Sequence, residues 1–287
     1  MEASRDEMAL GPGWVIEPRR EGLKARARDI WRYRRLLLFF VTKSFQKLYA
    51  KTHLGWSWIL IRPLFPLLVS TLVFGGVLGV GSQGVPYFLF VSVGTAVWDL
   101  FAQAAMWGTR SLDMNRQFLS RIYIPRLILP IANMAPALLN FGIHLGIILV
   151  AVGYYRVKTG VLYLAPWHLP WAVVGVVLAI LLALGIALWT SVPALVARDV
   201  RFTLNYVLGF WVLATPVLYP LPPGTKYAWL VSLNPMTAAV NTFKYGMLGL
   251  DVLSLRELAN SFLLTAVLLA SGLWFFCRHE SSAADNA

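Results

Sequence analysis

Leu36–Pro66 reads LLLFFVTKSFQKLYAKTHLGWSWILIRPLFP. On a helix turning about 100° per residue, its first half puts Leu37, Val41, Phe45 and Leu48 on one face, while Lys43, Lys47 and Lys51 follow one another at i, i+4 on another. That pattern suits a helix lying in a membrane interface, with apolar groups in the acyl boundary and ammonium groups among headgroups. The second half runs through Leu54, Gly55, Trp56, Ser57 and Trp58 directly into an apolar stretch. The whole segment reads as an interfacial helix that hands the chain into a bilayer.

Composition agrees. The chain of 287 residues is 58% hydrophobic and 13% charged, where an average soluble domain carries roughly 25% charged residues. Trp occurs 12 times, and indole favours membrane interfaces because its ring is apolar and its N–H stays wet. A single cysteine, Cys277, excludes an internal disulfide framework and a cysteine-based metal site, and no metal site is expected. Six apolar stretches approach the roughly 20 residues a crossing needs: about 58–80, 86–108, 127–154, 171–196, 203–220 and 259–277. Residues 1–57 read as a cytoplasmic amino-terminal segment, 58–277 as a transmembrane domain and 278–287 as a cytoplasmic tail. Residues 1–35 are polar and Arg-rich, without the apolar core of a signal peptide.

With six spans and both termini inside, only Arg156, Lys158, Lys226, Lys244 and Arg256 of the 25 basic residues fall outside. A bias of roughly four to one is what the positive-inside rule requires. The net charge of +12 is thus a topology signal, and no nucleic-acid partner is expected. Between Tyr227 and Leu250, Asn234-Pro235 cuts an apolar segment into pieces too short to cross, because proline removes an amide donor and disfavours helix before it. That segment is either a re-entrant helical hairpin on the outer side or a surface loop with two short helices.

Catalytic patterns are missing: no His-Glu-x-x-His, no Gly-x-Ser-x-Gly, no paired acids within a span. His144 and Asp99 are each the lone ionisable group in an expected span. His144 is either a packing histidine or part of a proton relay. Gly75–Gly81 lacks the Gly-Lys-Ser/Thr of a phosphate loop and is a turn or packing element; the Gly75/Gly79 and Gly142/Gly146 spacings allow close helix approach within the chain or across a dimer. What remains is an all-helical membrane body with no energy source of its own.

Four short motifs carry a resemblance. Lys47-Leu48-Tyr49-Ala50-Lys51-Thr52-His53-Leu54-Gly55-Trp56-Ser57-Trp58 precedes Arg62-Pro63; Tyr123-Ile124-Pro125-Arg126 precedes Leu129-Pro130; Ala197-Arg198-Asp199-Val200-Arg201 follows. Last come Pro216 to Tyr219, Leu233-Asn234-Pro235 and Phe243-Lys244-Tyr245 through Gly249. In order and spacing, over about residues 40–250, they resemble the type-2 permease subunits of ABC transporters that export polysaccharides such as O-antigen, capsule and teichoic acid. Asn241 stands where relatives often carry Glu.

The resemblance implies a six-helix permease in the bacterial inner membrane, working as a homodimer with two copies of a separate ATPase that holds ATP and Mg. The chain itself would be no enzyme and carry no cofactor; its cargo would be a lipid-linked polysaccharide, or, in the alternative, a lipid or drug-like small molecule. Carried over, the ATPase contacts are the amino-terminal helix, with Lys43, Lys47 and Lys51, and the loop Asp113–Arg126, with Arg116, Arg121 and Arg126. These basic residues equally suit inner-side topology marking. In the family, spans one and five line the pathway. Here that places Trp58, Arg62 and Phe65 at i, i+4, i+7, and Phe202, Tyr206 and Phe210 at successive i+4 steps, joined by Trp211 and Tyr219. Aromatic faces stack on the C–H side of sugar rings; the same residues also suit packing or interface belts. Arg62 could hold a pyrophosphate or snorkel to lipid phosphates. Arg198, Asp199 and Arg201 form an expected ion-paired structural turn that sets the relative height of spans four and five.

Overall fold

The computed structural model describes residues 31–49, 57–119, 125–221 and 228–279, and every regular element within them is helical. The first helix, α1, is Arg34–Tyr49. The next, α2, is Ser57–Ser70, and it loosens into a π-helical stretch at Thr71–Val77. Pro63 and Pro66 lie inside α2, where each removes a ladder hydrogen bond. The third helix, α3, is Tyr87–Thr109, followed by two single-turn helices, α4 (Ser111–Met114) and α5 (Arg116–Leu119). Then come α6 (Ile128–Asn133) and α7 (Ala135–Thr159), which Gly160 closes with a left-handed φ of 73° and an N–H bonded to Arg156 O. A 3-10 turn at Pro166–His168 leads into α8 (Leu169–Val196), followed by α9 (Asp199–Trp211), α10 (Ala228–Ser232), α11 (Pro235–Leu248) and α12 (Leu255–His279).

Among the described residues, 5 segments are long and apolar enough to cross a membrane: Ser57–Val77, Tyr87–Thr109, Ile128–Thr159, Pro166–Val196 and Leu255–His279. The stretch 203–220, expected as a further span, differs. Its helix, α9, has 13 residues, about 20 Å at 1.5 Å per residue, against a hydrocarbon core of about 30 Å. Beyond Trp211 the ladder tightens: the N–H groups of Leu213, Ala214 and Thr215 bond to carbonyls three residues back, those of Phe210, Trp211 and Val212. Pro216 then stops it, having no N–H and disfavouring helix at Thr215.

The break at Asn234-Pro235 falls where the sequence puts it. Asn234 is the N-cap of α11, its side chain accepting from Met236 N at 3.0 Å, with Pro235 in the first turn. The 14 residues of α11 do not lie on a surface: α11 packs against α3, α8 and α12 and is buried for most of its length. Its approach to α8 is so close that a Cβ on Gly246 would sit 2.3 Å from Ala172 N. Buried side chains of α3, α8 and α11 form the main core, and a second cluster gathers Phe40 of α1 with Leu112, Ile128, Leu129, Leu188 and Phe276.

The Gly-rich turn reads as expected at Gly75 and Gly79: the first lies against the Tyr87 ring and the second takes φ 61°. Gly142 and Gly146, by contrast, face open space. Lys51, Arg121, the side chain of Lys47, the Leu54-Gly55-Trp56 turn and the tail beyond His279 lie outside the described residues.

Candidate functional site

The basic end of the bundle is an interlock of α1, the loop after α3 and the α8–α9 junction. Phe40 and Ser44 sit one turn apart on α1, both buried, and it is this face, between the expected apolar and lysine faces, that seats α1 on the protein. Ser44 Oγ donates to Phe40 O and lies 2.9 Å from Asn133 Oδ1 of α6, whose Nδ2 donates to Leu129 O. Lys43 is half-buried and turned inward: its Nζ donates to Asn115 Oδ1 at 3.1 Å and stands 3.7 Å over the Phe118 ring. Asn115 is fixed in turn by its Nδ2 bond to Ser111 O. Thus Lys43 joins α1 to the loop expected to meet a partner, instead of projecting among headgroups.

Two further contacts tie that loop to the far side. Arg201 pairs with Asp113, both half-buried, so the expected ion-paired turn at Arg198–Arg201 finds its acid in the loop between α3 and α6. Asp199 starts α9 and is exposed. Arg116 reaches Leu195 O at the end of α8, at 3.5 Å. Arg126, half-buried, makes no side-chain hydrogen bond or ion pair among the described residues. None of this pairing was legible as spacing, because Lys43 and Asn115 are 72 residues apart and Asp113 and Arg201 88.

The aromatic residues divide. Phe202, Tyr206 and Phe210 form an open ladder on α9, at 63%, 69% and 73% exposure, and on α2 Trp58, Arg62 and Phe65 are likewise exposed. Trp211 is different: its indole packs edge-on against Trp98 and Phe101 and its Nε1 donates to Asn234 Oδ1 at 2.9 Å, so it belongs to the core and not to the ladder. Tyr219 folds back, its hydroxyl donating to Leu213 O at 2.7 Å.

Irregular backbone after α9 needs partners, since a bare carbonyl among apolar groups costs several kcal/mol. Lys244 of α11 supplies them. Its side chain is buried; Nζ donates to Pro216 O at 2.7 Å and Val217 O at 3.2 Å and stands 3.5 Å over the Phe90 ring. Asn234 adds bonds to Thr215 Oγ1 and Ala214 O. Sequence reading placed Lys244 outside the membrane and assigned it no role; the signal was a single lysine in an otherwise uncharged helix.

Between α3 and α7 lies a polar rung. His144 Nε2 is 3.3 Å from Asp99 Oδ2, bent off a straight hydrogen bond, while His144 Nδ1 meets Asn140 O at 3.0 Å. One turn along, Asn140 donates to Gln103. His144 is thus buried against a partner, and Asp99 keeps an open side at 34% side-chain exposure. Nothing among the described residues gathers three metal-ligating groups.

An all-helical bundle whose described residues include several segments long and apolar enough to cross a membrane, with a basic interlocked end, defines the class: a multi-pass membrane protein. Its sequence sharpens that. Residues 35–248 match the model of the ABC-2 type transporter, and the chain belongs to that family, as a type-2 ABC permease. It is similar to the O-antigen export system permease protein RfbA of Myxococcus xanthus, 26% identical over 221 residues, covering 76% of this chain and 82% of that one. A protein of the same name from Klebsiella pneumoniae is 25% identical over 244 residues, 82% and 90% of the two chains.

Proposed function

We propose that this chain is the conduit-forming subunit of an ATP-driven exporter that carries a lipid-linked polysaccharide outward across the bacterial inner membrane. Two copies pair across their open faces. Two copies of a separate ATPase, holding ATP and Mg, dock at α1 and the Asp113–Arg126 loop, both termini lying on that cytoplasmic side. In this reading α9 with residues 212–220 serves as the fifth of six crossings, and α10 and α11 form a re-entrant hairpin on the outer side. The single observation that carries the proposal is the Phe202–Tyr206–Phe210 ladder, three exposed ring-bearing side chains one turn apart with no hydrogen-bond or ring partner among the described residues. Stacking on the C–H faces of sugars is strong enough to hold a glycan and indifferent enough to let it slide.

The interlock supports a division of labour at the coupling end. With Lys43 bound to Asn115 and Phe118, movement of an ATPase against α1 reaches the loop through Lys43, and α9 through Asp113 and Arg201. Deleting the gene tests the reading: surface glycan is expected to vanish and its lipid-linked form to accumulate inside the cell. Unaltered surface glycan with accumulation of a small lipophile overturns it.

A further inference from the structure

At the basic end, Arg110 just beyond α3 and Arg198 and Arg201 at the start of α9 surround a cleft of about 550 Å³, walled by Trp107 and Phe202. That volume is in the range of sites that hold small ligands. The three arginines do not stand alike. Arg201 is held by Asp113; Arg110 and Arg198 are exposed and make no side-chain hydrogen bond or ion pair among the described residues. With one acid among the three, the cleft wall carries a net charge of +2. Guanidinium groups bind phosphate oxygens in pairs of parallel hydrogen bonds, and a diphosphate diester carries two negative charges to match.

Position selects among anions. Trp107 belongs to the last turn of α3, so the cleft opens where a membrane-crossing segment ends. Phe202, its other wall, is the first rung of the exposed ladder on α9. A phosphate held here therefore has apolar surface beside it for a lipid tail and an aromatic path for the sugar attached to it. A protein carboxylate uses neither.

We propose that this cleft binds the pyrophosphate headgroup of a polyprenyl lipid carrier and feeds the first sugar to Phe202. The proposal rests on the reading of the chain as a glycan exporter. Arg110 and Arg198 are the gripping residues, and Asp113 sets the position of Arg201.

The test uses the full chain with its co-purified ATPase in phosphatidylcholine nanodiscs, titrated with a long-chain polyprenyl pyrophosphate, the matching polyprenol and inorganic pyrophosphate. Arg110→Gln with Arg198→Gln is expected to weaken polyprenyl pyrophosphate binding about 100-fold, about tenfold per arginine. It should leave polyprenol binding and ATPase co-purification as they were. The double lysine variant, which keeps the charge, is expected to retain most of the affinity and shows that the loss is not misfolding. Unchanged affinity in the glutamine variant overturns the site, as does loss confined to Arg62→Gln. Inorganic pyrophosphate binding as tightly as the lipid would assign the cleft to a soluble anion instead. Loss of the ATPase with lipid binding intact would assign the arginines to the partner. The exporter reading fails in a different measurement, the gene deletion, so the two are distinguishable.

Discussion

Two membrane-crossing segments of nearly equal length sit in opposite surroundings. Ser57–Val77, with 21 residues, has 11% of its most apolar stretch buried, and Tyr87–Thr109, with 23, has 72%. The open one is nonetheless the more apolar by mean hydropathy. Burial, in a bilayer, is what permits polarity. On α3, Asp99 and Gln103 meet partners on α7. Along Ser57–Val77 no side-chain hydrogen bond to another helix is found among the described residues, and Thr71 bonds back along its own segment, at Leu67 O. An open face must be apolar, or be covered by something outside the chain. The molecule thus has a closed half, α3, α8 and α11, and an open half, α2 and the ladder of α9. Substitutions should separate them.

The largest effect belongs to the closed half. Gly246→Val drives a side chain into the Ala172 backbone, where even a Cβ would be 2.3 Å from nitrogen. Helix backbones cannot yield as a flexible side chain does, so the expected cost is about 4 kcal/mol. Detergent-solubilised protein should be lost from the monodisperse peak of fluorescence-detected size exclusion. A normal peak would mean that α11 is not seated on α8 as described.

Lys244→Met comes next. The apolar stem survives, but Pro216 O and Val217 O lose their donor and Phe90 its cation. Each buried acceptor left unpaired costs about 1–3 kcal/mol, so the expected loss is about 3 kcal/mol, read as a fall in melting temperature. Arginine is no substitute, since Gly94 packs against the Lys244 stem and leaves no room for a wider head. A melting temperature equal to the parent's would show that water already serves those carbonyls.

Much of this architecture could be read from the chain. The five described segments able to cross a membrane follow from apolar length alone, and Asn234-Pro235 announces its own break because cap and proline act on the nearest backbone. The shortened α9 was also written there: Pro216 stands inside the stretch 203–220, and the apolar run around it hid the stop. What no local pattern could give is azimuth between helices. Asp99 and His144 each stand out as the lone ionisable group of an expected span, yet their meeting depends on how α3 and α7 rotate. Lys43 shows the same limit: its spacing with Lys47 predicts a shared face, while the loop that captures it lies far along the sequence. Trp211, one residue past the ladder, is turned inward by the same 100° step that leaves Phe210 outside.

Lys43→Met probes the join between the halves. It removes the charge-assisted hydrogen bond to Asn115 and the close cation–π contact with Phe118 at a half-buried site, about 1–2 kcal/mol together. Phe40 and Ser44 still hold α1 in place, so the protein should fold with a modest fall in melting temperature. In the reconstituted complex, ATP hydrolysis is expected to continue while glycan export drops. Equal loss of both would make Lys43 a docking residue rather than a link.

The smallest effect on folding should come from Tyr206→Ala, in the middle rung of the open ladder. Tyr206 is 69% exposed and makes no side-chain hydrogen bond or ring contact among the described residues, so truncation should change stability by less than about 0.5 kcal/mol. If its ring serves only as lipid-facing apolar surface, Leu in its place should work as well as Tyr. If it stacks on sugars, Tyr206→Phe and Tyr206→Trp should preserve export, while Tyr206→Leu, equally apolar, should slow it about as much as Ala. The comparison therefore turns on planarity rather than hydrophobicity. A leucine variant that exports glycan at the parent rate would remove the ladder from the conduit and leave it as lipid-facing surface.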